Sequence, residues 1–425
     1  MKYFLRFFLA LVISAIVVVT YGSIQAVGNE NSQVEKVTNM ASRKSKRSKK
    51  FQQNSLQTKE NGLLLEIRWP EIVALSIPEN KPGATAPLSF IIRFTNNTQA
   101  PVPFIDYGAL IPEIFGPSGQ ALHRREPINR QVASGEYHGS LVGVGKQTHT
   151  SLQGRLSWQQ NSLQLILHDP IYDGIPIDLD RSWSFDTLGP GAYQIRFIYE
   201  TPTGTILYRD PVTFIETRQE IGTEVTGSQL ATPLANFRLL QPVGLNNSAV
   251  EVDGIRFETF IPEPLLTLPN KSDSSYQLVQ IGIRITNNTP TPFYFSFYGS
   301  FYPYLVTPDG EGKGGYCAND WIRGPEEFDF LLVAPGKSLT FFPDTHLFWT
   351  NHRQFSLGVS DGGGGYCAFE QLKPGIYHFR FQYYNTSDTI RKKNLAGESI
   401  ETRPIEKVWT GWVDTPFVEF RVAQP

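Results

Sequence analysis

The stretch Ile92-Arg93-Phe94-Thr95-Asn96-Asn97-Thr98-Gln99-Ala100-Pro101 returns, 191 residues later, as Ile283-Arg284-Ile285-Thr286-Asn287-Asn288-Thr289-Pro290-Thr291-Pro292. Each copy alternates apolar and polar side chains and then runs into Asn-Asn-Thr. That is the period of a half-buried strand, closed by residues whose side chains bond their own backbone and tolerate left-handed conformations. The agreement extends outward. Phe104, Tyr107-Gly108, Pro112, Pro117 and Gly119 meet Phe295, Tyr298-Gly299, Pro303, Pro308 and Gly310. Gly145-Lys146 and Trp158 meet Gly336-Lys337 and Trp349, and Phe237-Arg238 meets Phe420-Arg421. A repeat of this length marks two copies of one folding unit. It predicts domains at 61–242 and 248–425.

The composition agrees with strands. Of 425 residues 13% are aromatic and only 18% charged, with 36 glycines and 30 prolines, a balance that favours strands and turns over helices. Period-two patterns recur at Phe90, Ile92 and Phe94 and at Tyr377, Phe379, Phe381 and Tyr383, as in an antiparallel sheet with one face on a core. The expected class is all-β.

The N-terminus places Lys2 and Arg6 before an uncharged run from Phe7 to Val19, followed by Gly22, Ser23 and Ala26. This is the plan of a secretory signal peptide over 1–26. An uncleaved membrane anchor is the rival, since the run is short of the ~20 residues that span a bilayer but lengthens if Arg6 snorkels. A buried segment of a cytosolic protein is the third reading. Residues 27–60 lack a buried-face pattern and read as a disordered linker carrying the basic run Arg43-Lys44-Ser45-Lys46-Arg47-Ser48-Lys49-Lys50. Residues 1–60 hold ten Lys/Arg against three Asp/Glu, leaving 28 and 37 for the rest. A basic leash beside an export signal suits anionic lipid or acidic polymer, or simply a solvated spacer. Nuclear targeting conflicts with the export signal, so no nucleic-acid partner is expected.

Leu188-Gly189-Pro190-Gly191-Ala192-Tyr193 and Leu372-Lys373-Pro374-Gly375-Ile376-Tyr377 carry a family resemblance. They resemble the tyrosine corner of immunoglobulin-like and fibronectin-like sandwiches, where a tyrosine hydroxyl bonds backbone a few residues upstream. The pair of repeats is also similar to Ig-like modules of bacterial envelope and secreted proteins, including the small sandwich of the intracellular proteinase inhibitor family. The resemblance implies two tandem Ig-like antiparallel β-sandwich domains. Each repeat exceeds the ~100 residues of a standard Ig domain, so added strands or long loops are expected at 116–145, 166–187 and 307–335.

Cys317 and Cys367 are the only cysteines and belong to the second repeat; in an exported chain they most simply form one disulfide. Two free thiols and a nucleophilic cysteine are the alternatives, and no Cys-His pattern favours the latter. The aromatic run from Phe293 to Tyr304 is denser than a core needs. Since strand neighbours face opposite sides, Tyr294, Tyr298, Tyr302 and Tyr304 are candidates for stacking on sugar rings or binding a protein; packing beneath long loops is the competing reading. Asp169, Asp173, Asp178 and Asp180 offer hard-cation ligands without a specific Ca²⁺ spacing, and a solvated loop explains them equally. Asp344, His346 and His352 invite a metal or acid–base reading but do not recur in the first repeat. Asn96, Asn246, Asn287 and Asn385 head Asn-x-Ser/Thr triplets that would accept glycans in a eukaryotic secretory pathway.

No catalytic constellation, cofactor motif or metal set emerges, so a non-enzymatic role is expected. The expected function is an exported cell-envelope or surface protein with a structural, adhesion or ligand-binding role. Its partner would be an envelope polysaccharide or protein, with the membrane added if the N-terminal segment is retained. The alternatives are an envelope-associated hydrolase with a site in the long loops and a sandwich-type protease inhibitor acting through a projecting loop.

Overall fold

The computed structural model describes residues 57–60, 62–81, 83–105, 109–127, 136–168, 182–200, 204–209, 216–221, 230–270, 276–314, 316–318, 324–350, 354–393 and 398–423. The expected signal or anchor segment and nearly all of the basic linker lie outside these residues. Among the described residues the regular elements are β-strands, apart from two single-turn 3-10 helices, Leu245–Asn247 and Glu327–Asp329. The chain is therefore all-β. Its first strand, Gln57–Glu60, lies within the stretch read as linker and pairs with Leu63–Arg68.

The quoted motif sits at the end of the long strand Thr85–Asn96, which turns Ala86, Leu88, Phe90, Ile92, Phe94 and Asn96 inward. That strand lies between Leu63–Arg68 and Gln147–Gln159, and Ser162–His168 and Trp183–Leu188 continue the antiparallel sheet. Gln57–Glu60 and Arg124–Arg125 complete its seven strands. In the second repeat the same succession is cut in two. Tyr276–Leu278 and Gly282–Asn287 replace the first long strand, and Lys337–Phe341 and Thr345–Thr350 the second, giving sheets of four and five strands. Pro343 lies in the second break, where its missing N–H cannot join a ladder.

The opposing sheet of the first repeat centres on Gly191–Tyr199. Leu110–Phe115 pairs on one side of it; Ala235–Leu240 and then Leu230–Ala231 pair on the other. Val73–Ser76 adds to Ala235–Leu240 in parallel. The second repeat copies this arrangement with Gly375–Asn385 at the centre, Phe301–Val306 on one side, Val418–Ala423 and Gly411–Asp414 on the other, and Leu265–Thr267 added in parallel to Val418–Ala423.

The two halves meet edge to edge. Val73–Ser76 pairs in parallel with Gly411–Asp414, Val73 opposite Trp412 and Ala74 opposite Val413. A single 11-stranded sheet thus runs through both repeats. Two large buried clusters lie against it, and each takes in residues of the other repeat: Trp412 and Tyr384 in the first, Ala74, Ile72 and Leu240 in the second; a small third cluster joins Ala84 to Val306 and Phe417. Residues 52–425 form one compact unit.

The repeats agree in contacts as well as sequence. The Tyr193 hydroxyl donates to the Gly189 carbonyl at 2.9 Å and accepts from its N–H at 3.0 Å, with Leu188 buried beneath. Tyr377 makes the same pair with Lys373, over buried Leu372. Trp158 Nε1 donates to Pro78 O at 2.7 Å, and Trp349 Nε1 to Pro269 O at 2.8 Å.

Candidate functional site

The four tyrosines singled out by sequence fall in three places. Tyr302 and Tyr304 share one face of Phe301–Val306, opposite buried Phe301 and Leu305. Both belong to the junction between the repeats. The Tyr304 hydroxyl lies 2.9 Å from Thr85 Oγ1, and its ring meets Phe417 edge-on. Tyr302 stands edge-on to Tyr384, which leads through Trp412 to Trp69 of the first repeat. Burial pushes the Tyr302 hydroxyl up to about 12, reinforced by Tyr384 and Asp361. Tyr294 lies opposite Leu332, and its backbone bonds Lys407 and Trp409; Tyr298 is half-buried in the following turn.

Behind Tyr304 the junction encloses an ion pair that sequence reading did not single out. Arg380 and Asp414 are both fully buried, with Nη2 3.0 Å from Oδ2. The Arg380 guanidinium lies over the Phe417 and Tyr304 rings, and Trp412 Nε1 donates to Asp414 Oδ1 at 2.8 Å. Burial raises the Asp414 carboxyl above the usual range, opposed by the charge of Arg380. Gln382 Nε2 also donates across the junction, to Pro87 O at 3.1 Å. A shallow recess beside it is lined by Glu79, Lys81, Ala84, Val306, His378 and Phe417. Burial and then Lys81 hold His378 below the ordinary imidazole range, with Glu419 and Glu79 opposing.

The surface most suited to a ligand is the outer face of the second repeat's five-stranded sheet. Register places Tyr276 opposite Phe348 and Leu278 opposite His346. His346 in turn lies opposite Gly358, across which the Tyr366 ring spreads; a Cβ there would lie 1.5 Å from the Tyr366 hydroxyl, so only glycine admits it. The Tyr366 and His346 rings stack at 5.2 Å, Tyr276 meets His346 edge-on at 5.9 Å, and Phe348 adjoins at 5.3 Å. Burial holds His346 low, against the opposing charge of Asp344, and raises the Tyr366 hydroxyl. The Tyr366 hydroxyl lies 2.6 Å from His346 Nε2 and 3.1 Å from Nδ1, the imidazole tautomer setting which atom donates. Tyr276 and Leu278 remain 64% and 66% exposed. At the same register positions the first repeat has Thr85 opposite Ser157 and Pro87 opposite Arg155. The aromatic face belongs to the second repeat alone.

Next to Tyr366, Cys367 bonds Cys317 directly across the ladder between Tyr366–Leu372 and Tyr316–Ala318. The disulfide fastens the sheet edge beside the aromatic face. In the first repeat the corresponding edge is held by Arg124 over the Trp183 ring and by the Arg125–Asp186 ion pair at 2.7 Å. Asp169, Asp173, Asp178, Asp180 and His352 lie outside the described residues. Among the described residues no group of three or more His, Cys, Asp or Glu side chains is arranged to hold a metal ion.

His346 was singled out by sequence, but Tyr276, Leu278, Phe348 and Tyr366 were not. Their signal was available: four apolar or aromatic side chains stand where the first repeat carries polar or small ones. A scan against protein-family models finds no match, and no curated protein matches the chain.

Proposed function

We propose that this chain is an exported, non-catalytic surface protein whose two Ig-like β-sandwiches present the aromatic face at Tyr276, Leu278, His346, Phe348 and Tyr366 to an envelope polysaccharide. The observation that carries this reading is the exposure of Tyr276 and Leu278 beside packed aromatic rings, on a sheet face that is polar in the sister repeat. Flat rings fixed by their neighbours stack on sugar faces with little further loss of side-chain freedom.

The Ig-like assignment draws support from the paired tyrosine corners, in which Tyr193 and Tyr377 each bond the backbone four residues upstream. Export draws support from the signal-like N-terminus and from the disulfide, a bond that persists in oxidising compartments. The test is retention of the purified chain on immobilised envelope polysaccharide. Saturable retention that falls at least tenfold in His346→Ala and Phe348→Ala, with melting temperature held, supports the reading. Retention indifferent to both variants, or none at all, overturns it.

A further inference from the structure

The edge that joins the repeats inside the molecule exists a second time, and there no strand among the described residues covers it. Val73–Ser76 pairs with Ala235–Leu240 through Ala74 opposite Arg238, Leu75 opposite Leu239 and Ser76 opposite Leu240. Leu265–Thr267 pairs with Val418–Ala423 in the same register, Leu265 opposite Arg421, Leu266 opposite Val422 and Thr267 opposite Ala423. On its other side Val73–Ser76 carries Gly411–Asp414. Among the described residues Leu265–Thr267 carries nothing there.

The free edge is chemically open. Arg421 N donates to Pro264 O and Leu268 N to Ala423 O, so alternate residues 264, 266 and 268 face their own sheet. The backbone N–H and C=O groups of Leu265 and Thr267 consequently point outward. Pro264 lacks its N–H only on the inward side and leaves the outer edge unblocked. Natural edges of this kind are usually blunted with charge or proline. Here Glu263 and Thr267 are exposed at the edge, beside an apolar surface in which Leu265, Tyr276 and Leu278 are 60%, 64% and 66% exposed. Their first-repeat counterparts are Ala74, Thr85 and Pro87, the residues that contact the second repeat through the ladder, the Tyr304 hydroxyl and Gln382.

The complementary edge is also present. In the second repeat the docking strand Gly411–Asp414 pairs with Gly375–Asn385, Val413 opposite Tyr383 and Asp414 opposite Gln382. In the first, Leu230–Ala231 holds the same place, Leu230 opposite Tyr199 and Ala231 opposite Ile198. The bonds that follow match: Thr232 N donates to Phe197 O at 2.8 Å, and Thr415 N to Phe381 O at 3.0 Å. Among the described residues Leu230–Ala231 ends its sheet.

We propose that the Leu265–Thr267 edge receives the Leu230–Ala231 edge of a second copy of this chain, repeating between molecules the backbone ladder that joins the repeats within each. Such a contact joins two different surfaces and leaves one of each free, so it generates an open head-to-tail series instead of a closed pair. It shares Tyr276 and Leu278 with the proposed polysaccharide face but is measured without ligand, so either reading can fail alone.

The test is sedimentation velocity of the full chain across a hundredfold concentration range, together with cross-linking. The weight-average mass is expected to rise with concentration past that of a dimer. Leu265→Lys combined with Leu278→Lys is expected to weaken association at least tenfold while leaving the melting temperature in place, since both side chains are exposed. Mild oxidation of a Leu265→Cys chain mixed with a Leu230→Cys chain, the pair that the Ala74–Val413 register sets opposite each other, is expected to give the mixed disulfide. A chain that stays monomeric throughout overturns the proposal, as does association untouched by the lysines. Efficient self-cross-linking of Leu265→Cys alone overturns it too, because two like edges would then be meeting.

Discussion

Asn96 and Asn287 show how much one side chain carries in this fold. Each is fully buried, and each uses its whole amide. Asn96 Nδ2 donates to Ala100 O and Val142 O, both at 2.8 Å, while Oδ1 accepts from the N–H and hydroxyl of Thr98. Asn287 repeats this with Thr291, Val333 and Thr289. Replacing Asn287 by Ala strands the buried Val333 carbonyl and the partly buried Thr291 carbonyl and is expected to cost about 3 kcal/mol, read from urea denaturation. Glycan attachment at either Nδ2 is incompatible with these bonds. The turn was legible from Asn-Asn-Thr, but its burial was not, because sequence does not reveal which Asn folds back under the chain. The Arg380–Asp414 pair was equally hidden, being made by residues far apart in sequence. Asp414→Ala leaves the guanidinium buried alone and is expected to cost about 4 kcal/mol. Arg380→Met with Asp414→Leu is expected to cost far less, and chemical denaturation of both variants checks the contrast.

At the scale of elements, the second repeat's divided sheet is stapled where the first repeat's edge is held by side chains. The disulfide closes a loop with sequence separation 50, worth about 4 kcal/mol in the chain-entropy model. Cys317→Ser with Cys367→Ser is expected to lose up to that amount, seen as a lower urea midpoint under non-reducing conditions. The cysteine pairing was legible from two cysteines in one repeat. The breaks at 279–281 and 342–344 were not, because alternation continues on both sides of each and only Pro343 marks a stop. The histidines of this repeat add a pH dependence. Burial holds His346 and His378 below the ordinary imidazole value, so the folded chain favours their neutral forms. Their stabilisation is complete above the unfolded value, about 6.5, and is lost as pH falls through it toward the folded values. The urea midpoint should therefore be lower at about pH 5 than at about pH 7.5, with a smaller difference in His346→Gln/His378→Gln.

At the scale of the molecule, the tandem repeat was legible because both copies preserve their strand faces, turns and tyrosine corners. The junction was not, because it is built where the copies differ. Asp414 stands where the first repeat has Ala231, and Tyr304 where it has Glu113; a search for agreement passes over such positions. The ladder from Val73–Ser76 to Gly411–Asp414, with Trp412 seated in the opposite core, couples the repeats. The whole protein is expected to melt in one calorimetric transition, and Trp412→Ala to separate it into two.

The same ladder sets what happens when the covalent thread between the halves is severed. Leu245 stands 89% exposed in the short connection between the repeats, an inviting place for a protease. Cleavage there removes no bond of the ladder, the ring contacts or the Tyr304–Thr85 hydrogen bond. The two fragments would remain associated after nicking and part only in denaturant, so one peak on a native column would resolve into two bands on a denaturing gel.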